Sequence, residues 1–174
     1  MKCHNYKIKI GISSCLLGNR VRWNANHSQD QFITETLGPY IKYVPVCPEV
    51  ECGLGIPRET IRLVGNWHHP RLVTTNTKID HTERMKQWAA KKLSSLEHEK
   101  LSGFIFKSKS PSCGIIMVKV YPGNNVPPVK KGMGIFAKAF MNHFAKIPIE
   151  DDRRFHDPKI CENFIEQAFK IKNT

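Results

Sequence analysis

The sequence is poor in acidic residues and lacks any long hydrophobic run. It contains 15 Asp and Glu residues against 27 Lys and Arg, which gives a formal charge of +12 over 174 residues. No stretch approaches the length of a membrane span, and residues 1–7 are polar where a signal peptide would be apolar. We therefore expect a protein of the cytoplasm that does not associate with membranes, in which six cysteines stay reduced or bind metal.

The cysteines form no CxxC pair, which disfavours a simple zinc ribbon. Three of them instead stand singly, at turn-like points that each follow a short apolar run: Cys15, Cys47 and Cys113. Three thiolates that meet in space can hold an iron–sulfur cluster or another soft metal centre and leave one coordination position open. An open position on a metal is a place for substrate chemistry.

The remaining cysteines are expected to have no ligand role, because a free cysteine is most often a small buried hydrophobic residue. Cys3 lies near the N-terminus and Cys161 lies in the last predicted helix. Cys52 is the exception to watch, since it is five residues from Cys47 and could compete as a ligand.

Alternating strand and helix patterns predict an α/β fold, a Rossmann-like three-layer sandwich with a mainly parallel sheet. Predicted strands cover residues 7–13, 41–46, 61–64, 71–75, 103–106 and 116–121, and predicted helices cover 32–37, 80–99, 134–144 and 157–171. Ser28 and Gln31 resemble a capping box before the first helix, and residues 122–132 are predicted to form a loop. We divide the chain into an α/β domain, 1–150, and a C-terminal helical extension of the same domain, 151–174.

Ligands of such sheets bind outside the carboxyl ends of the strands. Cys15, Cys47 and Cys113 all fall at that edge in the predicted arrangement, so we expect them to converge. Glu49, two residues after Cys47, can act as a general base toward a water beside a metal, or can be an ordinary solvated loop residue. Arg58 can pair with an anion or with Glu49.

The excess of positive charge favours a polyanionic partner, with nucleic acid first. The basic residues are scattered along the chain and do not form a tail. Lys107 and Lys109 flank the predicted site, so we expect them to be best placed to meet a phosphate backbone near a reacting base. The other interpretation of the charge is that it only keeps the protein soluble.

Several short motifs, in the same order along nearly the whole chain, resemble the thiouracil desulfurase family. They occupy residues 12–18, 21–22, 46–50, 53–54, 57–59 and 109–114. Residues 71–74, 82–85, 134–137 and 163–166 are more similar to the branch that is usually fused to a second domain and is associated with removing sulfur from 4-thiouridine in tRNA. One stretch departs from the family pattern: Trp23-Asn24-Ala25-Asn26-His27 stands where an aromatic residue, Asp and Gly usually precede a His.

The resemblance implies a 4Fe–4S cluster bound by Cys15, Cys47 and Cys113, with one iron that has no protein ligand. It also implies catalytic roles for Glu49 and Ser110. To substrate binding we assign a further set of polar residues near these motifs: Ser14, Arg22, Arg58, Lys107, Lys109 and Ser112.

The predicted activity is the iron–sulfur-dependent, non-redox desulfuration of thiolated uracil, with 4-thiouridine in tRNA as substrate and sulfide as product. Two alternatives stay open from the sequence. One is a desulfurase of free thiouracil or another small thioamide. The other is not an enzyme but an iron–sulfur sensor or RNA-binding module. The oligomeric state is not predicted.

Overall fold

The computed structural model describes residues 7–123 and 125–172, so Cys3 lies outside the described residues. The strands are β1 (Ile8–Ser13), β2 (Ile41–Val46), β3 (Ile61–Val64), β4 (Arg71–Thr74), β5 (Gly103–Phe106), β6 (Val118–Tyr121), β7 (Val129–Gly132) and β8 (Ile149–Asp151). The α-helices are α1 (Pro48–Glu51), α2 (Thr82–Glu97), α3 (Ile135–His143) and α4 (Pro158–Lys172). Short 3-10 helices cover Ser14–Leu17 and Arg154–His156, and a π-helix covers Phe32–Leu37.

The main sheet is fully parallel, in the order β2-β1-β5-β8. Its two central strands, β1 and β5, are buried on both faces, as expected of a parallel sheet covered by helices on both sides. Successive side chains of a strand point to opposite faces of the sheet: Phe104 and Phe106 face α2 and α3, whereas Ile105 faces α4. This confirms the predicted three-layer α/β sandwich.

A second sheet, in the order β4-β3-β6-β7, was not predicted. It is mixed: β3 pairs in parallel with β6, while β4 and β7 add antiparallel edges. The predicted loop over 122–132 is therefore wrong at its end, because β7 begins at Val129. Strand β8 was also missed, because it is only three residues long and two of them are acidic. The three longer helices, by contrast, have a strong apolar periodicity, and α2, α3 and α4 begin and end within two residues of the predicted bounds.

The first short helix begins differently from the prediction. Ser28 caps nothing; its backbone N–H donates to the carbonyl of Cys15 at 2.9 Å. The side chain of Asp30 caps the start of this helix instead, since its Oδ1 accepts the N–H of Ile33 at 3.1 Å. The segment after Cys15 is thus tied back to that residue. None of the helices in the described part of the chain has both the length and the hydrophobicity of a membrane span.

Candidate active site

The carboxyl ends of β1, β2 and β5 open into a cavity of about 490 Å³. Cys15, Cys47 and Cys113 all line it, although they are far apart in sequence. The structure therefore brings together the three cysteines that the sequence singled out. Glu49 and Ser110 line the same cavity.

Cys15 lies in the 3-10 turn that follows β1. The turn ends at Gly18, whose φ of 90° suits glycine and whose N–H donates to the Cys15 carbonyl at 3.3 Å. Asn19 Nδ2 donates to Ser14 Oγ at 2.8 Å, which closes the turn from the outside. Ser14 also lines the cavity.

Cys47 is the residue before helix α1, and Pro48 takes the first helical position, where a missing N–H costs nothing. The Cys47 N–H donates to Glu51 Oε1 at 2.9 Å. Glu51 in turn pairs with Lys92 of α2 at 2.8 Å. The short helix thereby holds Cys47 and Glu49 at fixed positions on one side of the cavity.

Cys113 lies in a loop that is seated on the N-terminus of α3. The first N–H of that helix, from Ile135, donates to the Pro111 carbonyl at 3.1 Å, and the next two, from Phe136 and Ala137, donate to the Ser112 carbonyl at 3.0 and 3.1 Å. A Cβ at Gly134 would lie 2.4 Å from the Ser112 carbonyl carbon and oxygen, so only glycine permits this close approach. The fold therefore fixes Cys113 by backbone contacts.

Burial keeps the three thiols neutral in the metal-free protein. It raises the pKa of Cys15 to about 11 and that of Cys47 to about 12, and the Glu49 carboxylate adds to both shifts. The pKa of Cys113 is raised well above its usual value for the same two reasons, burial first. A Cys15 thiolate would raise the pKa of both other thiols, so the three lie within electrostatic reach of one another.

The donor set fits an iron–sulfur cluster better than a single metal ion. Within residues 7–123 and 125–172, no group of three or more Cys, His, Asp or Glu side chains can hold one ion. In a cluster each thiolate binds a different iron, so its ligands need not approach a common point. Metal coordination would also deprotonate the thiols that burial keeps neutral. Cys52 does not line the cavity and packs with β3 and α2 instead, and Cys161 packs between α4 and the main sheet.

The Glu49 carboxylate contacts the thiol of Cys47. Its Oε2 lies 3.6 Å from Cys47 Sγ and 3.4 Å from Arg58 Nη2, and its Oε1 accepts a hydrogen bond from Ser112 Oγ. The carboxylate is 15% exposed and the Arg58 side chain 8%. Glu49 is thus a partly buried, hydrogen-bonded group that faces the cavity, and not a solvated loop residue.

Ser110 and Ser112 connect the cavity to Glu49. Ser110 lines the cavity and its Oγ lies 3.0 Å from Ser112 Oγ. Ser112 is fully buried and donates to Glu49. The Ser110 oxygen also accepts the Cys113 N–H at 3.1 Å. Because Ser112 is closed off from the cavity, its placement favours an effect on Glu49 over contact with a substrate.

The four basic side chains predicted to bind substrate all line the cavity: Arg22, Arg58, Lys107 and Lys109. They differ in their partners. Lys107 Nζ forms an ion pair with Asp152 at 2.6 Å, and its backbone N–H donates to Ser13 Oγ. Lys109 is exposed. The Lys107 charge is therefore largely compensated, whereas Lys109 faces solvent.

A family model for 2-thiouracil desulfurases matches residues 10–152. The chain belongs to the 2-thiouracil desulfurase family. Among solved structures it is similar to a 4Fe–4S-dependent thiouracil desulfidase, TudS, with a TM-score of 0.72 and 25% identity. The match covers 92% of this chain and 99% of that one. No curated protein sequence matches significantly.

The cavity includes residues that sequence reasoning about this desulfurase family missed. They come from four parts of the fold, and include Trp23, Thr60, Ile61, Ser108 and Arg153. Trp23 could have been found, since it lies within the stretch that departs from the family pattern. Arg153 gave no signal, because only the short strand β8 brings it to this edge.

The departing stretch forms a tight turn beside the cavity. Ala25 has a φ of 57°, in the left-handed region, and its N–H donates to the Arg22 carbonyl at 2.9 Å. The Arg22 N–H donates to the Asn26 carbonyl at 3.1 Å. Ala25 thus occupies the conformation that the glycine expected from the family would adopt without strain.

We expect Ala25→Gly to raise the free energy of unfolding by about 0.5–1 kcal/mol. Glycine removes the steric cost of the left-handed conformation, about 1–2 kcal/mol in the folded state. It also increases the conformational entropy of the unfolded chain, which offsets about 0.5–1 kcal/mol of that gain. Denaturant unfolding measures the change. Ala90→Gly, in the exposed middle of α2, is the control and should destabilise by about 1 kcal/mol. A loss of stability in Ala25→Gly would contradict the assignment of strain.

Proposed function

We propose that this protein removes sulfur from thiolated uracil by hydrolysis, with a 4Fe–4S cluster bound by Cys15, Cys47 and Cys113. The observation that supports this most directly is the meeting of two buried thiols, one half-buried thiol and one partly buried carboxylate in a single cavity. Three thiolates for four irons would leave one iron without a protein ligand. When bound, such a cluster supplies a soft Lewis acid for thiocarbonyl sulfur.

In the proposed reaction Glu49 is the general base. It takes a proton from a water molecule, whose oxygen attacks the ring carbon that bears sulfur. The carbon–sulfur bond then breaks, the carbonyl forms, and sulfur leaves as sulfide, so that water and thiocarbonyl become carbonyl and hydrogen sulfide without electron transfer. Arg58 and Ser112 hold the two carboxylate oxygens in place.

Ser110 is proposed to pass protons between the cavity and Glu49. With Glu49 ionised, Ser112 donates to the carboxylate, and Ser110 can in turn donate to Ser112. This orders the two hydroxyls into one chain that begins at the cavity wall. The apolar side chains of Val46, Pro48 and Ile61 line the same space and limit the number of competing waters.

Turnover by anaerobically prepared protein tests the proposal. We expect release of sulfide from thiouracil or from tRNA that contains 4-thiouridine, together with the corresponding uracil or uridine. Protein that retains its cluster but turns over neither substrate would instead support the sensor or RNA-binding alternative. Comparing the two substrates at equal concentration separates a tRNA enzyme from an enzyme for the free base.

We further propose tRNA as the preferred substrate, because a basic groove adjoins the cavity. The groove has a volume of about 770 Å³ and shares Ile61, Ser108, Lys109, Pro111 and Arg153 with the cavity. Among the described residues that line it, one carboxylate, Asp151, faces six cationic side chains. These are Arg62, Lys109, Lys119, Lys130, Arg153 and Arg154.

The groove contains like charges that folding alone does not favour. Lys119 of β6 and Lys130 of β7 are direct cross-strand neighbours, an arrangement that destabilises a sheet. Arg62 stacks its guanidinium 4.9 Å from the Tyr121 ring centre, and its buried Nε has no hydrogen-bond partner among the described residues. Phosphates that pass through the groove would compensate the charges of Lys119, Lys130 and Arg62.

We expect Lys119→Ala with Lys130→Ala to weaken tRNA processing and to leave activity on free thiouracil nearly unchanged. The logarithm of the affinity falls linearly with the logarithm of the salt concentration, and each lost phosphate contact should make that slope shallower by about one. The slope of the double variant should therefore be shallower by roughly 1.5–2. Binding titrations at several salt concentrations measure this.

Lys91→Ala with Lys146→Ala removes the same charge outside the groove and is the matched control. The control should keep the salt slope. An equal loss of slope in both double variants would show that only net charge matters and would contradict a defined RNA path.

A further inference from the structure

Arg58 holds three separate segments of the chain together beside the cavity. Its Nη2 donates to the Val21 carbonyl at 2.9 Å and to Glu49 Oε2 at 3.4 Å, while Nη1 donates to the Gly55 carbonyl at 2.9 Å. Its backbone N–H donates to the Trp23 carbonyl at 2.9 Å. Every one of these partners belongs to the protein.

The side chain of Arg58 is 8% exposed, so the guanidinium is nearly removed from solvent. A buried cation needs hydrogen bonds in fixed directions, and the planar fork of arginine supplies them. With two carbonyls and one carboxylate around it, little of the fork is left to meet an incoming ligand. This geometry does not suit the substrate-binding role that the sequence suggested.

We propose that Arg58 is a positioning residue that holds the loop of residues 21–25 against the carboxylate of Glu49. The inference rests on the proposed function, because it assigns Arg58 an effect on the base of that reaction. The same guanidinium nitrogen, Nη2, contacts both the Val21 carbonyl and Glu49, so displacement of the loop displaces the base.

The loop also brings an aromatic wall to the cavity. Among the described residues that line the cavity, Trp23 alone carries an aromatic ring, and it is 45% exposed, whereas Cys113 is 4% exposed. Trp23 therefore lies at the open end of the cavity and the cysteines lie deeper. Arg58 contacts both the loop that carries this ring and the Glu49 carboxylate that is proposed to act on a bound heterocycle. The position of the substrate and the position of the base are therefore set by the same side chain.

Two substitutions test the lock: Arg58→Met removes the charge and the fork, and Arg58→Lys keeps only the charge. Trypsin gives a readout that needs neither cluster nor activity, because Arg20 and Arg22 provide cleavage sites in and next to the loop. We expect both variants to be cleaved there at least several times faster than the unsubstituted protein. We expect kcat for thiouracil to fall roughly a hundredfold in Arg58→Met, with KM changed much less, since a small displacement of a catalytic group costs about that much.

Arg84→Met is the matched control, because Arg84 is exposed and makes one long contact, 3.5 Å, to the neighbouring Gly53 carbonyl. It should change neither cleavage nor kcat. Thermal unfolding and iron content, measured on every variant, show whether Arg58→Met remains folded and keeps its cluster. If it does not, the proposal is judged on the trypsin cleavage and kcat of Arg58→Lys.

Raised KM with normal kcat and normal cleavage would overturn the proposal and make Arg58 a substrate ligand. Full protection of the loop in Arg58→Lys would also overturn it, since the fork would then be unnecessary. Failure of the proposed function would look different: the unsubstituted protein would not turn over thiouracil, while the cleavage comparison would still report on the lock.

Discussion

Single replacement of Cys15, Cys47 or Cys113 by serine is expected to remove the cluster and abolish desulfuration. Each thiol lines the same cavity, and a serine hydroxyl is a hard, weak ligand for iron. Anaerobically prepared protein should be brown, with bound iron and sulfide, and each variant should be colourless. Iron and sulfide analysis and the visible spectrum measure the loss directly, independently of turnover.

Two cysteines provide matched controls in the described part of the chain. Cys161 belongs to α4 and packs against the main sheet, and Cys52 packs against β3 and α2; neither residue lines the cavity. Both variants should stay brown and active. Loss of the cluster in Cys52→Ser alone would show that the ligand set is wrong. A colourless, zinc-loaded protein with full activity would refute the cluster altogether.

Strands β1, β2 and β5 of the main sheet could be predicted from the sequence, because they are short, largely apolar and bounded by turn or helix patterns. In a parallel sheet the carboxyl ends of the strands share one edge, so residues that follow these strands must meet. Cys15 and Cys47 come within two residues of strand ends, which made their common location predictable without any long-range information.

The second sheet could not be predicted in the same way. Its strands are four residues long, and β7 contains two lysines and ends on glycine. Strands β3, β4 and β6 were predicted singly from their local pattern. Their union in a separate sheet, and strand β7, depend on pairing between strands and on packing against α2 and α3, which is tertiary information. The basic groove that this sheet helps to form was therefore not foreseen, although the excess of positive charge was.

Side-chain partners were the least predictable part of the site. Asp152 follows the short acidic strand β8 and would be expected at the surface, yet it is 7% exposed and pairs with Lys107. Arg58 had two alternatives in the sequence, an anion or Glu49, and the structure places it on Glu49. Neither pairing follows from local pattern, because each joins segments whose proximity only the fold creates.

Replacement of Glu49 by glutamine should keep the cluster and lower kcat at least a hundredfold. Glutamine has nearly the same shape and retains an oxygen that can accept from Ser112, but it cannot take a proton from water, and loss of a general base costs about 10²–10⁴-fold. The cluster should survive, because the Glu49 charge raises the pKa of all three cysteines and its removal favours their thiolates. Steady-state turnover and iron content measure the two effects separately.

Glu51→Gln is the control for this prediction, since Glu51 lies on the same short helix but does not line the cavity. Glutamine at position 51 can still accept the Cys47 N–H, and it loses only the ion pair with Lys92. Its turnover should stay within a few-fold of the unsubstituted protein. If Glu49→Gln kept full turnover, water would not need this carboxylate, and Glu49 would serve only to hold the loop. If both variants lost activity equally, the effect would belong to the helix that places Cys47, and the role of Glu49 as a base would be refuted.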